Sequence, residues 1–233
     1  MQNKYFGDIH DFYKYLLLKE ITKDYKLGIH WCLKPDEMDK KDGEKLLTDK
    51  EKRLDPFLYD ILTKYKSQNV MKIDAYFSKN HSHKVKYFSM LHEDPTNSLH
   101  YENMAFEALR TCEIIFFDPD NGIEVASINN KNKYKYISYN LLKKFWEYGK
   151  SLIIYQHNDR IPNSLDNKVE KLYDLLGQKP NINIIKKGHV NFIILINSDH
   201  QIGHYMVLDE ICNLRDKYKE FQITNWRETG NII

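Results

Sequence analysis

The segment EIIFFDPDNGIEV, residues 113 to 125, limits the folds open to this chain more than any other. Ile114 to Phe117 are four apolar residues in a row, so a strand built from them has no polar face and must be covered on both sides. The run stops at once in Asp118-Pro119-Asp120-Asn121-Gly122, a string of turn formers. SLIIYQH, 151 to 157, repeats the pattern, and GIHWCL, 28 to 33, is a third short apolar run. Between these runs lie segments with apolar residues at helical spacing. Buried strands separated by helices require a mostly parallel sheet with helices on both faces. The expected fold class is therefore α/β, with a doubly wound, Rossmann-like sheet.

The spacing predicts helices at 11–22 (Phe12, Tyr15, Leu16, Leu18, Ile21), 54–66, 98–110, 139–148, 165–176 and 205–219. MKIDAYF, 71–77, alternates and reads as a strand, whereas KVKYFSML, 84–91, fits either type. The stretch at about 34–53 is dense in Lys, Asp and Glu and reads as a charged loop or insertion. NINIIKKGHVNFIILIN, 181–197, is two apolar runs about Lys187-Gly188. It predicts a hairpin that closes the sheet with an antiparallel strand, followed by a polar tail.

A length of 233 residues suits one α/β domain with insertions, and 42% hydrophobic residues supply a full core. Thirty-five basic residues against 33 acidic give a net charge of +2, which neither identifies nor excludes a nucleic-acid partner. Cys32, Cys112 and Cys212 are far apart, odd in number and without a Cys-x-x-Cys pair. Structural zinc is not expected, and reduced thiols fit a cytoplasmic protein. The polar N-terminus, with Asp8 and Asp11, is unlike a signal peptide. Apolar runs of at most about six residues fall far short of a membrane span. His81, His83, His92 and His100 lack spaced Cys or Glu partners, so no metal ligand is assigned among them. The oligomeric state stays open.

A doubly wound sheet binds its ligands beyond the carboxyl ends of the strands, where Asp118, Pro119, Asp120 and Asn121 fall. Pro119 stiffens that turn and Asn121-Gly122 tolerates positive φ. Two chemistries suit such a turn. An amine methyltransferase needs a carboxylate or amide that accepts from the target N–H groups. A metal-dependent nuclease needs carboxylates about Mg²⁺, with Glu124 as a third. An ordinary strand-to-turn connection uses the same residue types.

In GDIHDFYKY, Asp8 and Asp11 serve as helix caps or, with Lys14, form the mouth of a cofactor or substrate site. In YQHNDR, Gln156, His157 and Arg160 reach the same sheet edge, and His157 is a candidate base or phosphate contact. His189 and Asn191 alternate with apolar residues and read as structural. In KNKYKYISY, 131 to 139, lysine alternates with tyrosine, which suits phosphate contact and base stacking as well as a plain solvated surface.

GDIHDFYKYLLLKEI, the strand at GIHW, FFDPDNG, SLIIYQH and GHVNFIIL together resemble a group of bacterial and phage proteins with the same motifs. More distantly, the layout is similar to the large-subunit ribosomal-RNA adenine-N6 methyltransferases, of the class I S-adenosylmethionine-dependent fold. The resemblance implies one methyltransferase-like domain over 1–233 with an antiparallel closing hairpin. It matches Asp11 and Lys14 to the Asp and Lys of an opening helix that helps form the cofactor site. It matches Asp118-Pro119 to the first half of an Asp-Pro-Pro-aromatic motif. Asp120-Asn121 replaces the second half, so the ring that stacks a flipped adenine is missing. The glycine-rich loop after the first strand is also missing, and Trp31, Lys34 and Asp36 stand in its place.

The expected function is methyl transfer from S-adenosylmethionine to a nucleic-acid base. Asp118, Pro119, Asp120, Asn121 and His157 are expected at the reacting group, and Asp8, Asp11, Lys14, Trp31 and Asp36 at the cofactor. Gln156 and Arg160 are expected at the substrate. The alternatives are a Mg²⁺-dependent nuclease or phosphodiesterase using Asp118 and Asp120, and a non-catalytic phage- or defence-related binding protein.

Overall fold

The computed structural model of the chain describes residues 2–34, 46–92, 95–129, 132–158, 161–177, 180–197 and 201–226. In chain order the elements are α1 (Ile9–Thr22), β1 (Leu27–His30), α2 (Asp49–Leu54), α3 (Pro56–Lys64), α4 (Asp74–Asn80), β2 (Lys86–Phe88), α5 (Ser98–Leu109) and β3 (Ile114–Phe117). They continue with α6 (Tyr139–Glu147), β4 (Ser151–His157), α7 (Ser164–Leu175), β5 (Asn181–Lys187), β6 (Val190–Ile196), α8 (Gln201–Lys217) and β7 (Gln222–Asn225).

The seven strands form one mixed sheet in the order β2-β1-β3-β4-β6-β5-β7. β2, β1, β3 and β4 are parallel. β6 is antiparallel to both β4 and β5, and β7 is antiparallel to β5. The fold class is α/β, as the apolar runs imply. Side chains alternate between two cores, one on each face. Ile114, Phe116, Ile153 and Tyr155 join the core under α1, α3, α4 and α8. Ile115, Phe117, Leu152 and Ile154 join the core under α5, α6 and α7. Strands with both faces buried have no room for a polar alternation, which is why the sequence shows unbroken apolar runs. Among the described residues no helix is long and apolar enough to cross a membrane. The three cysteines are unbridged, Cys32 and Cys112 buried and Cys212 exposed.

Several local expectations are corrected. The segment 71–77 is not a strand: a 3-10 turn at Val70–Ile73 leads into α4. Asn69 accepts from the Met71 N–H at 2.8 Å and opens that turn. Val70, Ile73, Tyr76 and Phe77 then share one buried side at helical spacing. The helix read at 54–66 is α3, and a separate helix, α2, precedes it because Asp55 is extended (φ −150°, ψ 94°) between the two. The Asp55 side chain caps α3, and Pro56 takes its first turn. The charged stretch is not all loop, since Thr48 and Glu51 close a capping box on α2. Its residues 35–45 lie outside the described residues. β7 lies within the polar tail and was not foreseen. β1 ends at His30, earlier than expected, and Cys32 just beyond it takes a left-handed φ of +47°.

Candidate functional site

The N-terminus of α1 sets the floor of the site. Asp8 caps the helix by accepting from the N–H groups of His10 and Asp11 at 2.9 and 3.0 Å. Asp11 Oδ2 accepts from the Gly7 N–H at 2.9 Å, so both acids cap the helix. The other oxygen of Asp11 is turned inward and accepts from Lys14 Nζ at 2.8 Å. Lys14 Nζ also donates to Asp118 Oδ2 at 2.9 Å, which joins the opening helix to the carboxyl end of β3. The ammonium lies 4.6 Å from the centre of the Tyr155 ring on β4. Asp11, Lys14 and Asp118 are 2%, 3% and 2% exposed.

Burial sets the charges in this cluster. It pushes the carboxyls of Asp8, Asp11 and Asp118 above their ordinary range, against the pull of Lys14. Burial acts to lower Lys14 as well, but the carboxylates of Asp11 and Asp118 prevail and hold its ammonium well above the usual lysine value.

A second ion pair lies one turn further along the chain. Asp120 Oδ2 is 2.8 Å from Lys34 Nζ, a buried lysine beyond the end of β1. Gln2 Nε2 donates to the same oxygen at 3.5 Å. Burial opposes the charged form of Asp120, yet nearby positive charge, Lys34 included, keeps its carboxyl below the usual range. The Lys34 ammonium is 5.6 Å from the centre of the Tyr134 ring. Tyr134 belongs to the Lys/Tyr stretch, which docks on the turn: the Asn121 N–H donates to Lys135 O at 2.8 Å, and the Ile137 N–H to Gly122 O at 3.0 Å.

Gln156 clamps the same turn from β4. Its Oε1 accepts from the Ile123 N–H at 2.9 Å, and its Nε2 donates to Asn121 O at 3.4 Å and His157 O at 2.7 Å. Gly122 (φ +85°) is required here, since a Cβ would lie 2.1 Å from Gln156 Oε1. Glu124 accepts from the Tyr139 N–H at 2.9 Å, at the start of α6. Above the floor, Asp8, His10, Asp120, Asn121 and His157 are half-buried and form a rim. Burial, reinforced by Lys14, lowers His157, so its imidazole is neutral at pH 7. Beside His157 opens a cavity of about 240 Å³, lined in part by Gln156, Asn158, Ile161, Ser164 and Leu165.

The three segments singled out in the sequence therefore meet at one sheet edge. Trp31 packs into the core instead, its indole parallel to the Tyr87 ring with centroids 6.2 Å apart. Pro119 is buried in the turn. Asp36 and Arg160 lie outside the described residues. Asn191 is structural as expected and donates to the Asn158 side chain. Gln2 and Tyr155 join the cluster without having been singled out in the sequence, and Lys34 was named only as standing in place of the glycine-rich loop. The signal for Lys34 was its position, a charge directly after the run GIHWCL, as Asp118 is directly after Ile114–Phe117.

Comparison with protein-family models, curated proteins and solved structures found no match. The site's own chemistry is the only guide to a ligand. Among the described residues no group of three or more His, Cys, Asp and Glu is arranged to hold a metal ion. Asp118 and Asp120 bind different lysines, Lys14 and Lys34. S-adenosylmethionine fits in two respects. Four carboxyls (Asp8, Asp11, Asp118, Asp120) gather about Lys14 and Lys34, and Asp8 on the rim can face a cationic guest. Cys32 also takes, without glycine, the left-handed backbone conformation that glycine favours, just after β1.

Proposed function

We propose that the chain is a methyltransferase-like enzyme of the doubly wound, Rossmann-like class, and that it methylates an amino group of a nucleic-acid base. The observation that carries this reading is the Lys14–Asp118 ion pair at 2.9 Å. It joins an acidic opening helix to the turn after a parallel strand, the edge where such sheets bind their ligands. The insertion of β6 between β4 and β5, antiparallel to both, supports it further, because that is the hairpin ending typical of the class.

In this reading S-adenosylmethionine, when bound, supplies an electrophilic methyl group. Asp8, half-buried on the rim, holds the cationic cofactor on the acidic side of the cluster, and Asp11, buried with its oxygens taken by Gly7 and Lys14, positions the helix that carries it. Asp118 is a positioning residue, because it is buried and takes its hydrogen bond from Lys14. Asn121 and Asp120, on the rim, accept from the target amino group. His157, held neutral by burial, takes the proton that leaves the nitrogen. The Lys133–Tyr136 segment beside the turn offers cations and rings to a single-stranded nucleic acid. The nuclease alternative is the weaker of the two, since its carboxylates are drawn apart onto different lysines.

The test is transfer of labelled methyl from S-adenosylmethionine to single-stranded RNA and DNA. The wild type should label at least one. Asn121→Ala should lower the rate about a hundredfold with its melting temperature unchanged. No labelling of any nucleic acid, or full activity in Asn121→Ala and His157→Ala alike, would refute the assignment.

A further inference from the structure

The opposite edge of the sheet carries a different chemistry. Here the parallel strands begin. The register pairs Gly28 with Lys86, Leu27 with Ile114, and Ile114 with Ser151. Continuing these pairings back past the strand starts puts Lys84, Lys26, Glu113 and Lys150 in one row across four neighbouring strands. Adjacent strands are about 4.8 Å apart, so the row brings three lysines and one glutamate into close proximity. The glutamate is drawn aside, as Glu113 Oε2 accepts from the Lys26 backbone N–H at 2.8 Å. Burial, with the Lys26 charge adding to it, pushes Lys150 below the usual lysine value.

This row borders a cavity of about 300 Å³ lined by Lys26, His83, Lys84, Lys86, Thr111 and Cys112. The Cys112 thiol is buried, while the lysines are exposed toward solvent. Lys86 Nζ donates to Thr111 Oγ1 at 2.7 Å, which leaves the threonine hydroxyl hydrogen free to donate. Among the described residues the side chains of Lys26, Lys84 and Lys86 form no ion pair. Elsewhere in the molecule the lysines of the candidate site are matched by carboxylates at 2.8–2.9 Å. Most of the exposed wall is apolar, and its polar part, several ammoniums and a hydroxyl donor with no carboxylate among the lining residues, complements a multiply charged oxyanion.

We propose that this cavity is a binding site for phosphate groups, separate from the site at the carboxyl edge and independent of the methyltransferase reading. Lys26, Lys84 and Lys86 supply the charge and Thr111 a directed hydrogen bond. The volume exceeds what a single phosphate fills and suits a diphosphate unit, whether from a free phosphorylated molecule or from two successive phosphates of a nucleic-acid strand.

Isothermal calorimetry on the full chain separates the two sources, using inorganic pyrophosphate and a short oligothymidylate as probes at roughly 50 mM salt. The wild type should bind at least one probe, and more weakly as salt is raised. The double variant Lys26→Glu/Lys84→Glu should bind about tenfold or more weakly, with its melting temperature unchanged, since both side chains are exposed. The milder Lys84→Gln should give a smaller loss in the same direction. Pyrophosphate binding that shows these losses identifies a small phosphorylated ligand. The same losses for the oligonucleotide alone identify a nucleic-acid backbone. Failure of the wild type to bind either probe, or equal binding by the double variant, would overturn the proposal.

Discussion

Lys14 serves two carboxylates with one ammonium. Lys14→Met would leave Asp11 and Asp118 facing each other in a buried space. Removing one partner of a buried ion cluster costs about 3–5 kcal/mol, because the remaining charge is uncompensated. Chemical denaturation should show a loss in that range. A loss under about 1 kcal/mol would mean that the cluster is wet and exposed, the level of a surface pair. His30 gives a separate prediction. Burial pushes it down to about 3, so it stays neutral in the folded chain, where Nδ1 accepts from the Cys32 N–H at 3.0 Å. A depressed value means that the unfolded chain binds the proton more readily. The His30 contribution is thus fully present above about pH 6.5 and is lost as the pH falls toward 3. The slope is about 1.4 kcal/mol per pH unit within that window. His30→Asn, which keeps an acceptor, should flatten the wild-type stability profile between those limits, and an unchanged profile would remove His30 from the account. Asp11 and Asp118 were legible in the sequence because each sits at the end of an element, Asp11 in the first turn of α1 and Asp118 directly after β3, and Lys14 follows Asp11 at helical spacing. Lys34 was less so, since spacing does not reveal which strand end lies beside which. Trp31 misled for a physical reason: it stands at the strand end, but its ring is used to stack on Tyr87.

Among the elements, α2 shows what a charged stretch hides. Thr48 Oγ1 accepts from the Lys50 N–H at 3.3 Å, while Glu51 Oε2 accepts from the Thr48 N–H at 3.0 Å. Glu51 also takes a hydrogen bond from Tyr13 on α1 at 2.9 Å, which anchors α2 to the core. Thr48→Ala should cost about 1 kcal/mol in an equilibrium melt, the usual value of an N-cap. A neutral result would show that α2 is held by Tyr13 and not by its cap. The buried strands were readable because both faces are apolar. β7 was not, because an edge strand buries only part of each residue and carries no apolar run. The segment 71–77 failed for lack of length: over seven residues the periods of two and 3.6 overlap, and only the contacts of Tyr76 and Phe77 decide between them.

At the scale of the whole molecule, one mixed sheet separates two chemistries. The carboxyl edge gathers buried acids with two lysines, and the amino edge gathers lysines about a cavity. The parallel order that produces this division follows from apolar runs visible in the sequence. The partners at each edge do not, because strand order across a sheet is not written in chain order. The proposed function needs the acidic edge, α1 with the turn after β3, to seat a cationic adenosine cofactor. Calorimetric titration of the full chain with S-adenosylmethionine tests it most directly. Saturable binding, weakened by Asp8→Asn on the rim of that seat, is the predicted result. No heat of binding with the cofactor at millimolar concentration would contradict it.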